Sequence, residues 1–400
     1  MNKNSKKTVV VAMSGGVDSS VAAYLLKQAG YNVMGVFMRL HDNYEEGERA
    51  ARAVCKKLSI KFYPLSIQES FEREVVEYFI KSYAAGITPN PCVVCNKVIK
   101  FGVLLKLMQE LQADYLASGH YVRLRREDTR YPPTLKLRRT SKKQDTNIKL
   151  IKGIDKEKDQ SYFLYTLEQK QLKHLLFPLG EYRKEEIKKI AKKAGLPNLK
   201  TESQDVCFLV NEGKIIEHNK FLRERLKLTP GDIKELDPSA LRASPLGKGR
   251  NAQKDSRSKN KVIGRHKGLP LYTIGQRRGV EIGGTGPYYV ARCDYKTNTL
   301  YVVNDPNDPA LFSDEFFISN VNWTSGKEPK MPYSASVVIR YRHKAVPAKI
   351  KIEDSCLPAG TVRFKNNYIV KLNSPIRAVT PGQSAVFYDK DEVIGGGIID

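Results

Sequence analysis

Thr8-Val9-Val10-Val11-Ala12-Met13-Ser14-Gly15-Gly16-Val17-Asp18-Ser19-Ser20-Val21 is the stretch whose reading decides the fold class. The apolar, β-branched run from Thr8 to Ala12 reads as a buried strand, and from Ser19 to Ala29 the apolar positions recur at helical spacing behind a Ser or Asp start. Two glycines lie between them. A strand that turns through Ser-Gly-Gly into a helix aims the unpaired N–H groups of the helix start at one point. Working outward, Tyr31 to Met38 reads as a second strand, Glu45 to Leu58 and Ser70 to Ala84 as helices, Phe101 to Leu111 as another helix, and Tyr115 to Ser118 as a buried strand. That alternation predicts an α/β domain, a parallel sheet with helices on both faces. Ligands in such sheets sit beyond the carboxyl ends of the strands, where Ser14 to Ser20 falls.

Further along, the pattern changes. Leu124 to Asn147 is rich in Arg, Lys, Thr and Asp and reads as an exposed basic insertion. Gln160 to about Arg225 reads as helical, broken at Pro178-Leu179-Gly180 and Gly195-Leu196-Pro197. A second basic insertion covers Ser244 to Lys261, after which short strands with Gly, Pro and Asn turns run to the end. Four regions follow from this: an α/β domain over 1–157, a helical segment over 158–225 carrying Cys207, a small β domain over 226–310 and a β-barrel over 311–400.

The 400 residues hold 68 Lys and Arg against 43 Asp and Glu, a formal +25 that suits a polyanionic partner but names none. No stretch approaches the about 20 apolar residues of a membrane span, and the basic N-terminus leads into a glycine turn instead of a cleavage site, so a cytoplasmic protein is expected. Its six cysteines, at 55, 92, 95, 207, 293 and 356, do not read as a disulfide framework there.

Chemistry concentrates in three segments. Gly15 and Gly16 let the backbone approach an anion, Ser14, Ser19 and Ser20 offer hydroxyls, and Asp18 suits a Mg²⁺ that bridges to phosphate. The Gly-Lys-Ser/Thr ending of the ordinary P-loop is missing. The segment resembles instead the pyrophosphate loop of ATP pyrophosphatases, which split ATP between its α and β phosphates. In Thr88-Pro89-Asn90-Pro91-Cys92-Val93-Val94-Cys95-Asn96-Lys97, two prolines stiffen a loop that presents two thiols just ahead of Lys97 and Lys100. Those lysines are expected to lower the cysteine pKa values. Alone, a Cys-x-x-Cys reads equally as half a zinc site, a redox pair or neither, and no second one exists to complete a four-cysteine site. Cys207 follows Ser203-Gln204-Asp205-Val206 in what reads as a polar turn.

Together these segments resemble the tRNA-specific 2-thiouridylases. The resemblance continues through Gly35-Val36-Phe37-Met38, Ser118-Gly119-His120-Tyr121, Lys158 to Leu164, Tyr272 to Arg277, Arg340-Tyr341-Arg342 and Val379 to Ser384, nearly the whole chain. It implies an adenine nucleotide alpha hydrolase-like first domain that binds ATP and Mg²⁺ through Ala12, Met13, Ser14, Gly15, Gly16, Val17, Asp18 and Ser19, with Met38 at the adenine and Gly119 closing the site. It implies Cys95 as nucleophile and Cys207 as persulfide carrier, loaded by an upstream persulfide donor protein. His120 matches a position near the reacting groups, and a satisfied histidine at a strand end is an equal reading of it. Asn90, Pro91 and Cys92 would lie against the target base, and Lys158, Asp159, Gln160, Arg340, Tyr341 and Gln383 would touch the anticodon stem-loop of tRNA.

One position departs from the family pattern. Most members have Asp where this chain has Cys92, which brings a third thiol toward the site; Cys92, Cys95 and Cys207 as ligands of a 4Fe-4S cluster is therefore an alternative to persulfide chemistry. Two other classes compete: a pyrophosphatase-fold synthetase that adenylates a small acid or amide, and a non-enzymatic RNA-binding protein. The first needs no thiols beside its nucleotide, and the second needs no Asp18.

Overall fold

The computed structural model describes residues 6–42, 44–126, 147–197, 206–211, 214–215, 217–236, 261–280, 282, 286–352 and 368–400. Strand β1 (Thr8–Met13) runs parallel to β2 (Asn32–Arg39), with Val11 beside Gly35, and α1 (Val17–Gln28) connects them. Helix α2 (Glu45–Lys57) then leads to β3 (Lys61–Ser66). Acidic Glu45, Glu46 and Glu48 in the first turn of α2, and Lys56 and Lys57 in the last, oppose the helix dipole at both ends.

Two long helices follow, α3 (68–84) and α4 (91–110), each widening to π winding in its middle, over Glu72–Val76 and Cys95–Val103. Helix α4 starts ten residues ahead of the expected Phe101 because Asn90 caps it and Pro91 takes its first position. The chain returns through β4 (Tyr115–Ala117), makes the hairpin β5 (Val122–Arg126) and β6 (Ile148–Lys152), and adds β7 (Leu175–Leu176). The parallel sheet has the order β3-β2-β1-β4-β7. Alternate residues of β1 face opposite cores: Val10 joins Val36, Leu104, Met108 and Leu116, while Val9 and Val11 join Val21, Ala51 and Ala117. Both faces of the sheet are thus covered, as the alternation requires, and α5 (Lys184–Lys193) packs beside α1 through Ile187 and Ala191.

Past β7 the helical reading is only partly right. After α5 come a two-residue hairpin, β8 (Val210–Asn211) and β9 (Lys214–Ile215), and α6 (His218–Arg225). Strands of two residues are too short to show a period, and the sheet edge beside β4 stabilises β7.

A four-stranded sheet follows, with β10 (Gly231–Glu235), β11 (Val262–His266), β12 (Tyr289–Asp294) and β13 (Thr299–Val303) in the order β11-β10-β13-β12. The last six strands are β14 (Phe312–Trp323), β15 (Tyr333–Val338), β16 (Val346–Ile352), β17 (Tyr368–Arg377), β18 (Ser384–Asp389) and β19 (Glu392–Ile399). They pair antiparallel in the order β14-β17-β16-β15-β18-β19, and β19 pairs back onto β14, closing a six-stranded barrel. Closure removes the open edges that a sheet would leave.

The β5–β6 hairpin extends the barrel sheet through β19, with Val393 opposite Leu150. Leu124 to Arg126, expected as exposed insertion, is therefore paired strand; its charge masks a two-residue alternation of Val122 and Leu124 with Arg123 and Arg125. Residues 127–146 and 244–260, the rest of the two expected insertions apart from Asn147 and Lys261, lie outside the described residues.

Candidate active site

The strand order reverses between β1 and β4, so their carboxyl ends open the crevice where a ligand fits. Ser14 to Asp18 leaves β1 there. Gly15 holds φ +81°, and a Cβ on it would stand 2.5 Å from the Gly47 carbonyl oxygen and 2.9 Å from the Ala50 Cβ, so the turn demands glycine. The serines are committed to the turn: Ser19 Oγ and Ser20 Oγ donate to the Gly16 carbonyl at 3.1 and 2.8 Å, and Gly16 N–H donates to Ser14 Oγ at 3.3 Å. No side chain caps α1, which leaves its first-turn amides to an anion. Ala12 is half-buried, while Met13 and Val17 have their side chains in the core, so these positions offer a ligand mainly backbone. Met38, half-buried at the end of β2, packs between two core clusters. From the β4 side, Gly119 comes so close that a Cβ would stand 3.0 Å from Ser19 N and from the Asp18 carbonyl carbon.

Asp18 is not a bare carboxylate. Its Oδ1 accepts from Tyr121 Oη at 2.7 Å and from Lys184 Nζ at 2.6 Å, and both charged side chains are largely buried. A single enclosed carboxylate suits a Mg²⁺ that arrives coordinated mainly by its own phosphates and waters.

Two of the thiols lie on α4, the helix whose Phe101 ring packs 5.6 Å from that of His120. Asn90 Oδ1 accepts from Val93 N–H at 3.4 Å and Pro91 follows, which sets the axis of α4 and places Cys92 and Cys95 three residues apart on neighbouring turns. Cys92 is half-buried and Cys95 buried. Cys207 opens the turn Cys207–Leu209, anchored by Phe208 against Phe79 and Phe71 at 5.2 and 6.1 Å between ring centroids. It is exposed on one side and surrounded by protein on the others.

The expected lowering of the thiol pKa values does not occur. Burial raises Cys92, raises Cys95 to about 11 and raises Cys207 to about 12, and the opposing pull of Lys100, felt by all three, is the smaller effect. Lys97 is exposed. Lys100 also disfavours a charged His120, whose pKa burial already holds well below its ordinary value. The His120 ring is neutral at physiological pH, bonded through Nδ1 to Ser118 Oγ at 2.8 Å and enclosed by Phe101 and Phe177. Among the described residues no three His, Cys, Asp or Glu side chains are grouped closely enough to hold a single metal ion. Ser203 to Asp205 lie outside the described residues.

The barrel reaches into this region. Gln383 Nε2 donates to the carbonyls of Thr88 and Pro89 at 3.1 and 3.3 Å, and Thr88 N–H donates to the Pro381 carbonyl at 2.9 Å. Gln383 thereby fixes the loop that ends in Asn90. Arg340, its pKa lowered by burial, donates to Thr380 Oγ1 at 3.3 Å and lines a pocket of about 210 Å³ with Thr88, Thr273, Gln276 and Gln383. Tyr341 packs on Phe163 with 4.5 Å between centroids. Asp159 turns inward: Oδ1 accepts from Gly153 N–H at 2.9 Å and Oδ2 from Ser161 Oγ at 2.7 Å. Gln160 Oε1 accepts from Tyr121 N–H at 3.1 Å, and Lys158 N–H is held by Asp155.

Sequence reasoning missed Lys184, Tyr121 as a partner of Asp18, and Asn96, which is buried and donates to the Phe163 carbonyl at 3.3 Å. Lys184 opens an amphipathic helix and carries no local signal.

A pyrophosphate-loop crevice with thiols beyond it defines the class, and comparison with known proteins agrees. The chain matches three family models: the tRNA methyl transferase HUP domain over residues 7–211, the tRNA methyl transferase PRC-barrel domain over 219–304 and the aminomethyltransferase beta-barrel domain over 313–399. It is 40% identical to the tRNA-specific 2-thiouridylase MnmA of Shewanella denitrificans, over 98% of this chain and 96% of that protein. It is also 40% identical to the MnmA proteins of a Roseiflexus species and of Chloroflexus aggregans, each over 98% of both chains. The chain belongs to the tRNA-specific 2-thiouridylase family. No helix among the described residues is long and apolar enough to cross a membrane.

Proposed function

We propose that this protein adenylates the wobble uridine (U34) of tRNA at O2 and replaces that oxygen with sulfur delivered from a persulfide on Cys207. The observation that carries the reading is contiguity. Asp18 abuts Gly119, His120 follows it with its ring 5.6 Å from that of Phe101, and Phe101 shares α4 with Cys92 and Cys95, which supports reading the phosphate crevice and the cysteines as one site.

The chemistry needs both halves. A carbonyl oxygen is a poor leaving group; attack of O2 on the α phosphate of ATP, with loss of pyrophosphate, converts it into adenylate. Mg²⁺ arrives with ATP as part of the substrate and supplies charge neutralisation at the phosphates. Sulfur then has to attack C2. Either the terminal persulfide sulfur attacks, AMP leaves, and the Cys95 thiolate displaces the thiolated base from Cys207 Sγ, or Cys95 first displaces hydrosulfide from Cys207 and hydrosulfide attacks. Both orders end in a Cys95–Cys207 disulfide that an external reductant reopens. The raised pKa keeps the Cys95 thiol largely protonated, which limits idle exchange.

The +25 charge suits the anticodon stem-loop, and a loop base leaves its stack at modest cost. In support of this partner, Gln383 and Arg340 bring the barrel against the loop that carries Asn90, Pro91 and Cys92.

The test combines ATP, tRNA and a persulfide donor, and measures AMP together with 2-thiouridine in digested tRNA. AMP formation that requires tRNA and yields 2-thiouridine is expected. Turnover indifferent to tRNA would favour a small-molecule synthetase, and a methylated nucleoside formed without AMP would favour the methyl transfer named in the family models.

A further inference from the structure

The glycine loop has no lysine of its own. From Met13 to Ala29 the sole basic residue is Lys27, at the far end of α1, where it bonds the Leu58 carbonyl. A triphosphate seated on the α1 N-terminus would therefore meet Asp18, an anion, with only amides to oppose the repulsion. The fold brings the missing cation from 166 residues away. Lys184 is the first residue of α5, which lies along α1; Asp155 Oδ2 accepts from its backbone N–H at 2.9 Å and fixes where that helix starts. Its side chain is enclosed, with Nζ 2.6 Å from Asp18 Oδ1 and 5.8 Å from the Tyr121 ring centroid.

We propose that Lys184 is the phosphate-binding cation of this site: it neutralises Asp18 while the crevice is empty and transfers to the β and γ phosphates when Mg²⁺–ATP engages the carboxylate. The proposal rests on the reading of the crevice as an ATP site. Asp18 lies in the first turn of α1, so phosphates bound to that turn fall within reach of a four-carbon stem by torsional rotation alone. The exchange keeps charge balanced in both states. Without ligand, lysine faces carboxylate; with ligand, Mg²⁺ faces the carboxylate and lysine faces phosphate, so the enclosed site never holds an unopposed anion. Tyr121 stays hydrogen-bonded to Asp18 in the empty state and keeps the carboxylate oriented toward the crevice.

The alternative is an ion pair that only fastens α5 to α1. Product inhibition separates the two. Pyrophosphate carries the groups that Lys184 would bind, whereas AMP carries only the α phosphate and the nucleoside. In the full-length enzyme, Lys184→Met should raise KM for Mg²⁺–ATP and the inhibition constant of pyrophosphate each by tenfold or more, with AMP inhibition unchanged within twofold. Lys184→Arg, which keeps the charge, should recover most of the pyrophosphate affinity. Should methionine unfold the protein, Lys184→Gln makes the same comparison. Equal weakening of pyrophosphate and AMP, or no weakening of either, would overturn the assignment and leave a structural ion pair. Wild-type enzyme that makes no AMP in the presence of tRNA would overturn the ATP reading itself, and the role of Lys184 with it.

Discussion

Replacing Asp18 by Asn changes one oxygen to an NH₂ group and little else, and it tests the crevice most directly. The amide oxygen still accepts from Tyr121, but the charge pair with Lys184 Nζ is lost in a place where the two side chains are only 14% and 10% exposed. Removing one partner of a buried pair costs about 3 to 5 kcal/mol, and the flexible lysine stem argues for the lower end, about 3 kcal/mol. That corresponds to on the order of a hundredfold in a local opening equilibrium. Hydrogen exchange of the β1 and α1 amides reads this domain alone, which matters because a multidomain chain need not unfold in one step. Those amides should exchange about a hundredfold faster in Asp18→Asn. Lys184→Met should destabilise by a similar amount, and the double variant by clearly less than the sum, with a coupling of about 2 kcal/mol. Additive effects, or exchange in Asp18→Asn at the wild-type rate, would refute a buried pair. The same Asp18→Asn protein should make no AMP and still bind tRNA within about twofold of wild type, because the carboxylate serves phosphate chemistry and not RNA affinity.

Four further outcomes follow from the thiols, the histidine and the charge. Cys95→Ser and Cys207→Ser should each abolish 2-thiouridine formation while Cys92→Asp retains it; full activity of Cys207→Ser would contradict the two-cysteine chemistry. Alkylation of Cys95 without tRNA should rise tenfold per pH unit through pH 9 and half-saturate near its pKa of about 11, whereas saturation near pH 8 would mean that Lys100 outweighs burial. His120 is depressed when folded and ordinary at 6.5 when unfolded, so its contribution is present above pH 6.5 and lost as pH falls below it; His120→Gln should make that acid limb of the stability profile shallower by about one proton, with His41, His218, His266 and His343, also lowered by burial, supplying the rest, and an unchanged limb would mean that His120 is not depressed. If six or more phosphates are contacted, tRNA affinity should drop about a thousandfold or more between 50 and 200 mM salt, and a flat response would remove the polyanion argument.

Much of the nucleotide half was legible from residue order alone. Thr8 to Ala12 had to be a strand and Ser19 to Ala29 a helix, because periodicity is local, and the Gly at position 15 permits the positive φ that the turn takes. The same locality explains the failures. Leu175 and Leu176 form a strand only because β4 offers a free edge, and Val122 to Arg126 joins the barrel only because β19, some 270 residues later in the chain, accepts the hairpin. Charge beside a cysteine suggested an easily ionised thiol, yet the pKa depends on what surrounds the sulfur, and the packing of α4 against the Cys207 turn reverses the sign. Sequence thus determined which groups this protein possesses and the local turns that present them. Tertiary structure alone decided that Lys184 would meet Asp18 and that Gln383 would hold the Asn90 loop, since pairing across 166 and about 290 residues is set by packing and leaves no mark on either segment.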